Sequence, residues 1–150
     1  MSPVTEAHVA TFAELDSATL YALLRLRCDV FIVEQACAYP DIDGRDNEPG
    51  TTHVWLTSSG VVVAYLRILE DRDGTARIGR VCVARDARRV GHAARLLAAA
   101  LGAIGDRLAV LDAQTYATKV YEDAGFVRSG PEFVEDGIPH VPMRREGPTT

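Results

Sequence analysis

What the 150-residue chain lacks removes several classes of protein before any motif is read. Its longest uncharged run is too polar and too rich in glycine to span a bilayer, so no transmembrane helix is expected. The opening Met1-Ser2-Pro3-Val4-Thr5-Glu6 has neither the basic nor the apolar region of a secretory leader, and the cytoplasm is the expected compartment. Only three cysteines occur, Cys28, Cys37 and Cys82, an odd number without Cys-x-x-Cys spacing. Reduced thiols and no structural disulfide are expected. Four histidines, His8, His53, His92 and His140, share no ligand spacing with each other or with cysteine, so no metal is expected. Basic charge is short as well. Sixteen Lys and Arg against 21 Asp and Glu leave a net charge of −5, which argues against a nucleic-acid partner, since such binding rests on a basic face.

What remains is ordinary for a globular chain: 47% hydrophobic and 25% charged residues, with no repeat and no linker. The length suits one domain over 1–150, large enough to bury roughly 70% of its unfolded surface. A period-2 stretch near Val4–Phe12 predicts a first strand, and Asp16 or Ser17 predicts the cap of a helix. Residues 38–50, rich in Asp, Gly, Asn and Pro, read as a loop. Strand-like runs come next at Thr52–Thr57, Val61–Leu69 and Arg77–Ala84, with turns at Ser58-Ser59-Gly60 and Asp73-Gly74. A helix from about Gly91 to Ile104 carries Ala94, Leu97, Leu101 and Ile104 on one stripe. Ala109–Ala113 reads as a short buried strand. Ala117, Val120, Tyr121 and Ala124 define a helix closed by Gly125, and Phe126–Met143 reads as a hairpin turning at Asp136-Gly137. The expected order is β-α-βββ-α-β-α-ββ, an α/β fold with a mixed sheet flanked by helices.

The join before the long helix carries the first chemical signal. In Val81-Cys82-Val83-Ala84-Arg85-Asp86-Ala87-Arg88-Arg89-Val90-Gly91-His92-Ala93-Ala94 a strand enters a loop with arginines, and a small residue opens a helix. Helix N-termini bind anions through unpaired N–H groups, and Gly91 and Ala93 allow close approach. A plain β–α turn with surface arginines fits the same residues.

Arg88-x-x-Gly91-x-Ala93 is similar to the Q/R-x-x-G-x-G/A motif of the GNAT superfamily of N-acyltransferases. The resemblance implies that backbone amides of Val90, Gly91, His92, Ala93 and Ala94, with Arg88 and Arg89 beside them, take the pyrophosphate of acetyl-CoA. It also implies that Val81, Cys82 and Val83 pair with the pantetheine like an added strand. Arg89, Arg85 and His92 stand where glycine, proline and an aliphatic residue are usual. Tyr121-Glu122-Asp123-Ala124-Gly125-Phe126 resembles the family's Y-x-x-x-G-F ending, with Gln114 seven residues earlier where asparagine is frequent. Tyr121 is thereby implied as the acid that protonates the departing CoA thiolate. Alternation along the cofactor strand sets the Cys82 side chain on the other face from Val81 and Val83, so no cysteine nucleophile is needed. Leu23–Gln35, Tyr39-Pro40, Asp43-Gly44-Arg45-Asp46, Leu111–Gln114 and Phe133–Met143 are similar to the ElaA-like branch, together most of the chain.

The first helix adds a feature of its own. At 100° per residue Leu20, Leu24 and Phe31 share a stripe with Arg27 near its middle, while Arg25 points away. Arg27 is either held in a buried ion pair or faces an acceptor cleft beside Glu34, His53 and the acidic loop of Asp41, Asp43, Asp46 and Glu48. Glu34, His53, Asp112 and His140 are the candidate general bases for an amine that arrives protonated, and nothing in the sequence chooses among them. The reaction implied is attack of a neutral amine, small-molecule or peptide, on the acetyl thioester, with a homodimer left open. Two alternatives stand beside it. An acyl-homoserine-lactone-type synthase shares the fold and an Arg27-x-x-x-Phe31 pattern, although its aromatic-rich N-terminal segment is missing. A non-enzymatic acyl-CoA-binding module would keep the 88–94 loop but has no use for Tyr121.

Overall fold

The structure is a computed structural model and describes residues 4–147. Strand β1 (Thr5–Thr11) ends in a single tight turn, after which the Asp16 carboxylate accepts from the Thr19 N–H at 2.7 Å and starts helix α1 (Ser17–Arg27). From Cys28 to Glu34 the helix widens into π turns. Residues 35–51 form a loop, and β2 (Thr52–Ser58) and β3 (Val61–Glu70) close a hairpin through Ser59 (φ +49°) and Gly60 (φ +83°). The chain continues through β4 (Ala76–Val83), α2 (His92–Ile104), β5 (Ala109–Gln114) and the short α3 (Thr118–Asp123). Gly125 (φ +98°) then reverses the chain, with the Phe126 N–H donating to the Tyr121 carbonyl at 3.0 Å.

All the strands join one eight-stranded mixed sheet in the order β1-β2-β3-β4-β5-β8-β6, with β7 also on β8. Here β6 is Val127–Arg128, β7 Phe133–Glu135 and β8 Ile138–Arg145. The tail hairpin turns at Asp136-Gly137 as its sequence predicts, both at positive φ. Its outer edge differs from the expected single strand. Gly130-Pro131 interrupts it, since proline donates no ladder hydrogen bond, and β6 and β7 line β8 separately.

Two apolar layers sandwich the sheet. On one face Leu96, Leu97, Ala100 and Ile104 of α2 and Tyr121 of α3 pack on Val54, Leu66, Ile78 and Leu111. On the other, Leu23, Leu26, Val30 and Phe31 pack on Trp55, Tyr65 and Cys82. The buried face of α1 and its π extension is thus Leu23, Leu26, Arg27, Val30 and Phe31, with Leu20 and Leu24 only half-buried. The stripe read from the sequence holds Arg27 and Phe31 but lies about one residue off the contact line.

Two irregularities open the sheet. The β3–β4 register shifts between Tyr65 and Arg67, where Arg80 takes φ +53°. The parallel β4 and β5 pair only at Ala76–Ala109 and Arg77–Val110 and then separate, leaving a gap between their C-terminal halves.

Candidate active site

Backbone geometry decides what faces the gap. The Ala84 N–H donates to Val63 of β3 at 2.8 Å, so Val83, one residue earlier, turns its N–H and carbonyl the other way, toward the gap. Side chains alternate too. Val81 and Val83 pack on the α2 layer while Cys82 is buried in the α1 layer, as expected from the sequence. Burial pushes the Cys82 thiol up to about 12, so it stays protonated and unreactive.

Beyond Val83, Arg85–Ala87 makes one tight turn, and the chain enters α2 through two left-handed residues, Arg89 (φ +68°) and Gly91 (φ +85°). Gly91 caps α2, no side chain bonds the free N–H groups of its first turn, and a Cβ on Gly91 would meet nothing within 4 Å. Arg89, Val90, Gly91 and Ala94 are exposed. The helix end therefore offers amides, a partial positive charge and open space, which fits a phosphate group. His92 begins the helix with its Nδ1 buried and without a partner among the described residues.

Arg88 does not point outward with the rest of the loop. Its Nε and Nη2 donate to the Val83 carbonyl at 3.1 and 3.0 Å. Nη1 and Nη2 also grip the Glu34 carboxylate at 2.5 and 2.6 Å.

Tyr121 sits at 7% exposure with Phe126 edge-on, ring centroids 6.2 Å apart. Its hydroxyl makes no hydrogen bond to a described residue. Burial raises its pKa above the ordinary phenol value, with smaller contributions from Tyr116 and Cys82, so it is a neutral donor. Gln114, at the end of β5, accepts from Gln35 at 3.4 Å and from the Tyr116 hydroxyl. Tyr116 carried no signal in the sequence, and Gln35 only its place at the end of the Leu23–Gln35 resemblance. A groove of about 300 Å³ lies between Leu26, Val30, Val33 and Glu34 on one side and Ala84 and Asp86 on the other.

The residues expected beside an acceptor divide. Arg27 and His53, each 1% exposed, are enclosed under the acidic loop, away from solvent. The Arg27 guanidinium donates to Asp41 (Nε to Oδ2, 3.0 Å; Nη2 to the carbonyl, 2.8 Å) and to Asp46 (2.7 Å). Arg67 joins Asp43 and Asp46, and Arg80 joins Asp41 and Asp43. His53 Nε2 faces the Asp46 carbonyl at 2.9 Å, so that nitrogen carries the proton and Nδ1 accepts from Tyr65 at 2.7 Å. Of the two readings of Arg27, the structure draws the buried ion pair, and the acidic loop is neutralised by three arginines rather than open to a cation. Glu34 is bound to Arg88, and Asp112 is exposed on β5. His140 stacks on Phe133, and its Nδ1 donates to the Ile138 carbonyl at 2.7 Å, which leaves Nε2 with its lone pair. No group of His, Cys, Asp and Glu among the described residues is arranged to hold a metal. Nor is any described helix long and apolar enough to cross a membrane.

Comparison with known proteins bears on this geometry. The profile of the acetyltransferase (GNAT) domain matches residues 26–146. The chain is 52% identical over 149 residues to a UPF0039 protein of Mycobacterium tuberculosis, covering 96% of each. Its fold is similar to the crystal structure of Escherichia coli ElaA, with TM-score 0.90 and 36% identity over 95% of this chain and all of that one. It is similar also to an acyl-CoA N-acyltransferase from Pseudomonas aeruginosa, with TM-score 0.88 and 37% identity over 95% and 99%.

Proposed function

The chain belongs to the GNAT acetyltransferase family and is an acyltransferase that draws on acyl-CoA, and from this premise we propose that it moves an acetyl group from acetyl-CoA to an amine by direct attack on the thioester. The observation that carries the reading is the open β4 edge at Val83 beside the side-chain-free N-terminus of α2. In this reading the amides of residues 90–94 hold the pyrophosphate, and the Val83 edge receives the pantetheine as a short added strand.

The amine enters through the groove between α1 and Ala84–Asp86, one residue from that edge. A backbone N–H at the end of β4 polarises the carbonyl. Tyr121 then protonates the leaving thiolate. Burial raises the basicity of a desolvated thiolate as it raises the phenol, so the transfer stays matched. His140 is the base in this reading, because the Ile138 carbonyl ties its Nδ1 and leaves the Nε2 lone pair free to accept a proton. His140→Gln should then lower kcat/KM with CoA affinity retained, and an unchanged kcat/KM assigns the base elsewhere.

The test is thiol release from acetyl-CoA in the presence of a panel of amines, each reaction checked for the acylated product. Amine-dependent release supports the reading. Release only from long-chain acyl-CoA would favour a synthase of the acyl-homoserine-lactone type, and no release from any acyl-CoA removes the assignment.

A further inference from the structure

We propose that Glu34 is a positioning residue for acyl-CoA: through Arg88 it holds the loop between β4 and α2 in the shape that receives the cofactor. The inference rests on the assignment of that loop to acyl-CoA.

Little else holds the loop. Arg85, Asp86, Arg88, Arg89, Val90 and Gly91 are all exposed, and of its side chains only the small Ala84 and Ala87 pack against the core. Arg89 holds a left-handed conformation that is costly for a residue with a Cβ. Such a segment keeps one conformation only when something fixes it from outside.

Arg88 supplies that fixation at two points. Its Nε and Nη2 both donate to the Val83 carbonyl, which pins the loop to the last residue of β4 and leaves the Val83 N–H free toward the gap. Its other edge meets Glu34 in a two-bonded fork at 2.5 and 2.6 Å. Glu34 ends the π-helical extension of α1, an element anchored by the buried Val30 and Phe31. The fork thus ties the cofactor loop to a packed element 54 residues earlier in the chain. The hydrogen bond from Arg88, with help from the Arg88 and Arg85 charges, holds the Glu34 carboxyl below its usual range, so the fork persists into mild acid.

With four of its contacts committed inside the protein, Arg88 serves the cofactor by ordering the loop rather than by touching phosphate. Glu34 also lines the groove through which the amine enters, so CoA binding and the two KM values together separate its hold on the loop from any contact with the amine. Preorganised amides bind an anion more tightly than amides that must first be ordered.

The experiment compares the parent, Glu34→Ala, Glu34→Gln, Arg88→Ala and the Glu34→Ala/Arg88→Ala double variant. Each is titrated calorimetrically with CoA and followed kinetically with acetyl-CoA and one accepted amine. Both side chains are partly exposed, at 38% and 28%, so folding should survive, and circular dichroism checks it. Loss of one charge-assisted fork predicts a Kd for CoA raised about tenfold in either alanine variant. The double variant should be no weaker than the worse single one. Glu34→Gln should recover part of the affinity, and kcat at saturating acetyl-CoA should stay near the parent's while KM for acetyl-CoA rises. Unchanged or tighter CoA binding, additive losses, or a fall in kcat with Kd intact each overturn the proposal. A parent that binds no CoA overturns the assignment of the loop itself, and the proposal with it.

Discussion

A phenol can act as an acid only while it keeps its proton and has a partner to give it to. Tyr121 meets the first condition, because burial raises its pKa and nothing among the described residues occupies its hydroxyl. Tyr121→Phe keeps the ring against Phe126 and removes one oxygen, so thermal stability should change little. If the hydroxyl protonates the thiolate, kcat should fall roughly 10²–10⁴-fold with CoA affinity retained. Turnover at the parental rate would hand the proton to solvent. Gly91 is the second decisive residue. Its φ of +85° disfavours any side chain, and the space outside it is empty. Gly91→Glu therefore strains the backbone and puts a carboxylate where phosphate is expected. CoA titration should show no binding, with circular dichroism unaltered. Retained affinity would remove the phosphate cradle from this helix end.

The loop of residues 38–46 packs only Tyr39 on the α1-side core and leaves Ile42 exposed, yet it is held on the sheet. Three arginines from α1, β3 and β4 hold Asp41, Asp43 and Asp46, with Tyr39 stacked under Arg80 at 5.3 Å. Arg27 lies at the centre, so Arg27→Met fills the volume but leaves buried Asp41 with Arg80 alone and Asp46 with Arg67 alone. Breaking one partner of a buried pair typically costs about 3–5 kcal/mol. The melting temperature should drop by many degrees while acetyl-CoA and amine KM values of the folded fraction stay put. A normal melt with a raised amine KM would return Arg27 to the acceptor cleft.

The same cluster sets an acid response. The Arg67 hydrogen bond holds Asp43 well below its usual range. Burial pushes Asp46 up, but the bond and charge of Arg27, with Arg67, outweigh it and leave it low. Carboxylates with depressed folded values stabilise above their unfolded value near 3.9 and lose that contribution as pH falls toward the folded value. His53 acts at higher pH. Burial lowers its pKa, so the unfolded chain binds the proton first, and stability declines as pH falls from about 6.5. Melts at pH 7.5, 6 and 5 should show that early decline. A melting temperature flat across this interval would mean that His53 is not desolvated as drawn.

Across the whole molecule, legibility in the sequence tracks the range of the interactions involved. The strand–turn punctuation at Ser59-Gly60 and Asp136-Gly137, the Asp16 cap and the Gly125 reversal depend on neighbours, and each is where local chemistry puts it. The 88–94 loop and the buried place of Tyr121 are legible for the same reason, since fixed spacing places them. The fork of Glu34 on Arg88, the partners of Arg27 and the link from Gln35 to Gln114 join residues far apart in sequence. For these, residue type indicates that a partner is needed but not which one. The π widening at Cys28–Glu34 has no glycine or proline to announce it, and it displaces Phe31 to Gln35 from a straight helical projection. The separation of β4 from β5 is likewise a product of assembly, and the β3–β4 bulge at Arg80 is held by Asp41 and Asp43 from another element.

That separation makes alternate amides of one strand behave differently. Ala84 donates to β3 and should exchange slowly whether or not ligand is present. Val83 faces the gap, where β5 has already diverged, so its N–H should exchange quickly in the free protein. If CoA pairs there like an added strand, saturating CoA should slow exchange at Val83 and at the first amides of α2 while leaving Ala84 unchanged. Binding to the folded state alone should also raise the melting temperature, by an amount set by about 2.7 kcal/mol at a hundredfold excess over Kd. Protection spread evenly over the sheet would indicate general stiffening. Protection confined to Val83 and residues 90–94 would identify the gap as the cofactor's strand position.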